Sequence, residues 1–222
     1  MKHLRFKAVI ACLALLSCYN ATAAPMGFDE SYMVMGDFTN NWQELTANYA
    51  TTPRDAFGVT AIYMRSDDKT KLRSLEEFTY TRLLKRWNAP HSQTNFWFFG
   101  GVGALQGQDK RAGRDRHFNK VMVSPGIQFD HETARVYFSA AHRFFRASDI
   151  NHDFTAVRAG FSFYETDYDQ IQPWFILEAR NMNGLSEKVE ITPMLRFIHS
   201  SIFVEAGVNN FHKPRFNFMY IF

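Results

Sequence analysis

The sequence predicts an all-β fold, an antiparallel transmembrane β-barrel of twelve strands with short periplasmic turns. Three observations support this prediction. Apolar and polar residues alternate with a period of two, no window approaches the roughly 18 consecutive apolar residues of a membrane helix, and the last strand is aromatic. Strand boundaries predicted from a pattern are soft by about 2–4 residues, and the spacing also fits ten strands.

The first 23 residues have the layout of a secretory signal peptide. A basic start (MKHLRFK) precedes an apolar run (AVIACLALLSC) too short to span a bilayer, and small residues follow in an A-x-A pattern. We expect cleavage after Ala23, which leaves one domain over residues 24–222. The motif LLSC would instead make Cys18 a lipidated N-terminus, and both routes stay open.

Charge and cysteine content become uninformative once this leader is removed. The chain has 25 Lys and Arg against 22 Asp and Glu. The leader holds three of the basic residues and no acidic one, so 25 − 3 = 22 basic residues face 22 acidic ones. A neutral domain gives no electrostatic reason to bind nucleic acid. Both cysteines, Cys12 and Cys18, also lie in the leader, which excludes disulfides and thiolate metal sites, and no cofactor is predicted.

The alternation is clearest in four segments: LTANYA, VRAGFSF, VEITPMLRF and IFVEAGVNN. In each, one face suits hydrocarbon and the other is polar or charged. A soluble sheet alternates as well, so the pattern alone does not tell which face points inward. The predicted strands lie near 31–39, 42–51, 56–66, 74–87, 94–106, 119–130, 134–147, 153–165, 172–182, 187–198, 201–209 and 214–222.

Three segments do not follow this pattern cleanly. Pro125 (VSPGI) and Pro193 (ITPML) fall inside predicted strands, where each removes a hydrogen-bond donor from the ladder. We expect a β-bulge at each proline, helped at the first by Gly126. The strand LEEFTYTRLLKRW has charges on both faces, so its inward face is left unassigned.

An even strand count returns both chain ends to one side of the barrel. Connections after even strands then face the periplasm and are short, whereas connections after odd strands face outward. The longest and most charged of these outer connections is GQDKRAGRDRHF, over residues 107–118. We expect it to form a loop.

The last strand is apolar at alternate positions and ends on an aromatic residue: Phe216, Phe218, Tyr220 and Phe222. Together with the leader and the amphipathic strands, this ending resembles a bacterial outer-membrane β-barrel protein, without matching any narrower family. The resemblance implies that these four residues are the signal read by the barrel-assembly machinery. It also implies periplasmic chaperones and outer-membrane lipid as partners, and a location in the outer membrane of a Gram-negative cell.

Projecting the alternation inward lines the lumen with charged residues, mainly arginine and glutamate. They are Arg135, Arg143, Arg158, Glu178, Arg180, Glu190, Arg196, Glu205 and Arg215. Two interpretations are open. The lumen is a narrow porin-like channel in which these residues select small polar or charged solutes, or it is filled by a self-neutralising ion network in a non-conducting structural or interaction barrel.

Four methionines also project to the inward face: Met64, Met122, Met194 and Met219. Thioethers are soft ligands that suit Cu(I) or Ag(I), although methionine equally fills gaps in a tight lumen. No enzymatic activity is predicted, because Ser139 and His142 fall on opposite faces of one strand and cannot form a nucleophile–base pair.

Overall fold

The computed structural model describes residues 30–111 and 114–222, so the predicted signal peptide lies outside the described residues. No helix in this part of the chain is long and apolar enough to cross a membrane. The strands are β1 (Tyr32–Thr39), β2 (Trp42–Ala50), β3 (Asp55–Arg65), β4 (Lys71–Ala89), β5 (Ser92–Arg111), β6 (Arg114–Val123), β7 (Gly126–Thr133), β8 (Val136–Arg146), β9 (Asn151–Ser162), β10 (Gln172–Asn183), β11 (Val189–His199), β12 (Ile202–Val208) and β13 (Pro214–Ile221).

β6 and β7 are two halves of one barrel strand. β6 and then β7 pair in sequence along the single long strand β5 on one side, and both pair with β8 on the other. The thirteen segments therefore build twelve barrel strands, all antiparallel to their neighbours. The preferred count of twelve is confirmed.

The first and last strands close the barrel. β1 pairs with β13 from Met33↔Ile221 to Thr39↔Arg215. Tyr32 and Phe222 extend this ladder with two backbone bonds, of 2.8 Å from the Tyr32 amide and 2.9 Å from the Phe222 amide. Their rings stack at a centroid distance of 5.7 Å. The aromatic strand that ends the chain is thus the closing strand.

The expected bulge at Pro125 is wrong. The pairs Val102↔Val123 and Phe99↔Gly126 keep one register across the interruption. Phe144 still donates to the Pro125 carbonyl at 2.8 Å, so one of the two bonds of that pair remains although proline has no N–H.

The expected bulge at Pro193 is also wrong. Pro193 pairs in register with Leu177 of β10, and the ladder to β12 begins only one residue later, at Met194. On the same side, Ile191 donates to the side chain of Asn210 at 3.0 Å. Proline stands where the ladder stops and its missing donor costs little. A register shift occurs instead on β4, between Leu83 and Lys85.

The outer wall is apolar and the interior is polar, which decides the question that alternation alone leaves open. On β11, Ile191 and Leu195 are 44% and 47% exposed, whereas Glu190 and Arg196 are 4% and 7% exposed. A water-soluble barrel would show the opposite arrangement. Apolar side chains facing out around a closed sheet are the arrangement of a transmembrane β-barrel, which confirms the predicted fold class.

The two ends of the barrel differ in their connections. The end that holds Tyr32 and Phe222, here called the terminal end, has short turns at 51–54, 90–91, 134–135 and 200–201, and one longer connection at 163–171. The other end, here called the distal end, holds the connections 40–41, 66–70, 147–150, 184–188 and 209–213. The predicted loop at 107–118 is wrong, because β5 and β6 pair as far as Arg111↔Arg114 and form a long hairpin.

Candidate functional site

Charged side chains line and cross the lumen in two ion-paired groups, which together are here called the charged ladder. Its members come from nine strands and point inward, as their alternation predicts. They are Asp37, Glu44, Glu77, Arg143, Arg158, Glu178, Arg180, Glu190, Arg196, Glu205 and Arg215. Five arginines face six carboxylates, so the formal charge of the ladder is 5 − 6 = −1.

The half of the ladder on β9 to β13 is tightly paired. Glu178 accepts from Arg158 at 2.6 Å and from Arg215 at 3.0 Å. Glu205 accepts from Arg196 at 2.6 Å and lies 3.3 Å from Arg158. Each of these carboxylates therefore bridges two guanidinium groups, and their side chains are only 0–1% exposed.

Asp37 of β1 connects this half of the ladder to Arg180 and, through it, to Glu190. Its carboxylate lies 3.2 Å from both Arg180 and Arg215, and Arg180 also reaches Glu190 at 3.4 Å. Asp37 stands directly opposite Glu44 of β2 in the strand register, so two acidic residues are adjacent on the wall. The paired half of the ladder therefore stands beside the half that crosses the lumen, without an ion pair between them among the described residues.

Arg143 of β8 spans the lumen. It forms an ion pair with Glu77 of β4, and its Nη1 lies 3.3 Å from a carboxylate oxygen of Glu44 on β2. β2 and β8 are five strands apart in one direction and seven in the other, so they lie almost opposite each other. Ser124 donates to Glu77 at 2.5 Å and lies 2.9 Å from Arg143. The guanidinium of Arg143 therefore lies across the lumen.

The ladder keeps unused hydrogen-bonding capacity. Five buried polar atoms of the ladder have no protein partner within the described residues: Arg143 Nε, Arg180 Nε, Arg215 Nε and Nη1, and Glu178 Oε1. The same is true of Oδ1 of the neighbouring Asn217. Buried polar groups are normally satisfied by protein or by water. In a lumen, water or a polar solute is the partner that can reach them.

Arg135 is placed differently from the other predicted lumen arginines. It lies in the turn 134–135 at the terminal end, where its guanidinium donates to the backbone carbonyls of Ser162 at 3.3 Å and Phe163 at 3.4 Å. It belongs to the rim of the barrel and does not join the ladder.

Apolar side chains fill the lumen on the distal side of the ladder. This distal apolar layer was not predicted, and its side chains are 0–4% exposed: Trp42, Ile62, Met64, Leu75, Leu105, Met122, Phe145, Ile150, Met182 and Leu185. The Trp42 ring packs on Phe145 and Phe154, and its indole N–H donates to Glu44 at 3.0 Å. The layer thus rests directly on the ladder and closes the passage in this structure.

The four predicted methionine ligands are divided between two places. Met64 and Met122 lie in the distal apolar layer, whereas Met194 packs with Trp174 and Ile176 in a separate cluster. The side chain of Met219 stays partly exposed on β13. The structure does not bring the four sulfur atoms together.

His152 occupies the position next to Met64. Its Nε2 lies 3.1 Å from the Met64 sulfur, and its Nδ1 lies 2.9 Å from Nη1 of Arg73. Arginine can only donate, so Nδ1 accepts and Nε2 bears the proton that points at sulfur. In this tautomer the imidazole offers no lone pair beside Met64. A soft-metal role stays a prediction, and this arrangement does not favour it.

The terminal-end part of the lumen contains a second polar group. Asp130 accepts from Trp97 Nε1 and from Asn95 Nδ2, both at 2.7 Å.

Ser139 points inward and His142 points outward, where its ring contacts Thr155 at 2.7 Å, so the two side chains are apart as predicted.

Charged residues of the distal connections pair locally. Asp149 forms ion pairs with Arg116 and Lys120, and these lower the pKa of its carboxyl well below the usual range. Asp68 accepts from Ser66 Oγ at 2.5 Å and from the amide and hydroxyl of Thr70, which lowers its pKa to about 2. Both carboxylates therefore stay charged at neutral pH.

Sequence reasoning missed Asp37, Glu77 and Arg73. Glu77 and Arg73 lie on the strand whose inward face was left unassigned, and both are 4% exposed. Phe78 is 53% exposed and marks the lipid-facing side of that strand. Because side chains alternate along a strand, the odd-numbered residues Arg73 and Glu77 are expected to point inward. Asp37 lies on the same face of β1 as Met33 and was available from the same pattern.

Comparisons with known proteins give low similarity. No protein-family model and no curated protein matches the sequence. Among solved structures, the chain resembles a KdgM porin, with 9% identity over 86% of this chain and 98% of that one and a TM-score of 0.48. A KdgM porin in complex with disordered oligogalacturonate gives 10% identity, the same coverage and the same TM-score. A loop-deletion mutant of OmpT, an outer membrane protein of Vibrio cholerae, gives 7% identity over 86% of this chain and 98% of that one, with a TM-score of 0.32. Because these scores are below 0.5, the barrel assignment rests on the chain's own strand pairing and apolar outer wall.

Proposed function

We propose that the protein is a narrow porin-like channel of the outer membrane that passes small polar or charged solutes along the charged ladder. The unpartnered ladder atoms support this proposal. A network that served only to fill the barrel would gain stability by satisfying all its members, since apolar packing of similar volume is often at least as stable as a buried ion network. Unused donors on Arg180 and Arg215 instead leave positions for water or solute.

The ladder sets an expected selectivity. Five arginines and six carboxylates are interspersed along the lumen, so neither anions nor cations meet a continuous track of opposite charge. We therefore expect weak ion preference. The distal apolar layer makes the structure a closed state, because a dry constriction blocks conduction.

Single-channel recording tests the proposal. The chain from residue 24, refolded into a planar bilayer under a salt gradient, should show small, discrete openings with weak ion preference. Arg143→Ala should raise the conductance, because it removes the guanidinium that lies across the lumen, and should shift the preference towards cations. Arg82→Ala is the matched control, since Arg82 lies on the outer wall, paired with Asp55 at 3.3 Å, and should leave conductance unchanged.

A second candidate function is a non-conducting structural or interaction barrel. The distal apolar layer favours it, because ten buried apolar side chains close the lumen as a protein core does. Consistent silence in the bilayer from protein that shows heat-modifiable mobility, including the Arg143→Ala variant, would support this candidate and refute the channel.

A further inference from the structure

The connection 184–188, here called the strap, crosses the distal mouth of the barrel. It joins β10 to β11, yet it contacts the connection 66–70, which joins β3 to β4. β3 and β10 are six strands apart in both directions around the barrel, so they lie on opposite sides. Contacts between these two connections therefore span the mouth.

One carboxylate holds the far end of the strap. Asp67 accepts from Ser186 of the strap at 2.6 Å and from Asn41 at 2.6 Å, and Lys213 lies 3.7 Å away. These partners come from three other distal connections. Asp67 is thus a single latch at which four connections meet.

Backbone contacts support the same crossing. The Asp67 amide donates to the Leu185 carbonyl at 3.4 Å, and Lys71 donates to the Gly184 carbonyl at 2.7 Å. Gly184 has a φ of 87°, in the left-handed region that suits glycine, and a Cβ there would lie 3.1 Å from the carbonyl oxygen of Asn151. The turn that starts the strap therefore has a backbone conformation and a close approach to Asn151 that suit glycine.

The strap inserts one side chain into the lumen. Leu185 is 4% exposed and packs in the distal apolar layer. Most of the other members of that layer project from barrel strands, such as Leu75, Leu105 and Met122, and cannot leave without unfolding the wall. The strap is held across the mouth less firmly, by one backbone hydrogen bond from the Asp67 amide and by the side chains of Asp67 and Lys71.

We propose that the strap is the gate of the channel and that Asp67 is its latch. This inference rests on the proposed channel function. In the closed state Asp67 fixes Ser186 and Leu185 completes the apolar layer. Release of Ser186 lets the strap swing out and admits water to the layer below it, with the roots of the strap on β10 and β11 as hinges.

Thiol labelling tests the gate without requiring conduction. The expected domain has no cysteine, so Leu105→Cys places one reporter thiol in the buried layer, and Met122→Cys replaces it if that variant does not fold. Adding Asp67→Ala should raise the rate of reaction with a membrane-impermeant thiol reagent about tenfold or more, since hydrogen bonds to a charged group are lost. Glu187→Ala is the matched control, because it removes an exposed carboxylate from the strap and should not change the rate.

Cross-linking then connects the gate to conduction. Asp67→Cys with Ser186→Cys, joined by a short reducible bifunctional reagent, should give a closed channel that opens more often after reduction. Failure of the two thiols to link in folded protein, or equal labelling rates in the Asp67→Ala and Glu187→Ala variants, would overturn the gate. Efficient linking and latch-dependent labelling with no conductance in any variant would overturn the channel function instead, and with it the role of the strap as a channel gate.

Discussion

Removing one charge from the ladder should measurably destabilise the barrel, and Glu205→Gln is the sharpest case. Glu205 accepts from Arg196 at 2.6 Å and from Asn217 at 2.6 Å, and its side chain is 0% exposed. The amide keeps the shape of the side chain and can still bond to Asn217. The negative charge that balances Arg196 and Arg158 is lost.

The expected magnitude follows from what each arginine retains. Breaking a buried ion pair by removing one partner costs about 3–5 kcal/mol. Arg158 keeps Glu178 at 2.6 Å, and the guanidinium of Arg196 still faces the rings of Tyr137 at 4.5 Å and Phe203 at 4.9 Å. These contacts lower the cost of the uncompensated charge, so we expect a loss of about 3 kcal/mol in the free energy of unfolding.

Urea unfolding in detergent micelles, followed by tryptophan fluorescence and by heat-modifiable mobility, measures this loss. The double variant Glu205→Gln/Arg196→Gln provides the control, because it removes the second charge as well. It should recover part of the stability, with a coupling energy of about 1–3 kcal/mol between the two positions. A single-variant loss below about 1 kcal/mol, or strict additivity of the two substitutions, would refute the view that these charges are buried and mutually dependent.

Three further variants test other parts of the structure. Gly103→Ala places a Cβ 2.0 Å from the backbone oxygen of Glu76 and 2.5 Å from the Glu77 Cα, so the same titration should show a loss of about 1–3 kcal/mol, whereas an unchanged midpoint would contradict this close approach. Leu105→Ala should cost about 2–5 kcal/mol because Leu105 is fully buried, and a near-neutral result would show that the distal apolar layer is loosely packed. Phe222→Ala should lower the yield of folded barrel in cells more than it lowers refolding in vitro, as expected of an assembly signal, and equal effects in both assays would argue against that role.

The positions of the strands and the division of each strand into an apolar and a polar face were predictable because they depend on local periodicity. On β11, the alternation of Ile191 and Leu195 with Glu190 and Arg196 marks two faces whatever the rest of the chain does. All twelve barrel strands lie within a few residues of their predicted positions, except where the β5–β6 hairpin continues through the charged segment at 107–118. Charge suggested a loop there, but cross-strand pairing continues, and Asp109 stands opposite Arg116 in the register, where opposite charges favour a ladder.

The prolines show a second limit of local patterns. A proline inside an apparent strand removes one donor, but its cost depends on whether the neighbouring strand offers an acceptor at that level. At Pro193 the ladder to β12 has already ended, and at Pro125 one bond to Phe144 remains. The point at which the ladder with a neighbouring strand ends is a property of the assembled sheet. The sequence therefore could not distinguish a bulge from an uninterrupted register.

The sequence by itself determined the two faces of each strand and the aromatic alternation of the last one, and it predicted a barrel with twelve strands preferred over ten. These properties follow from a period of two and from the length of a membrane strand, which act within single segments. Only the tertiary structure decided that Arg143 reaches Glu44 across the lumen, that an apolar layer closes the distal side, and that Asp67 holds the strap from the opposite wall. Such contacts depend on the curvature and shear of the closed sheet, which bring residues far apart in the chain to one level of the lumen.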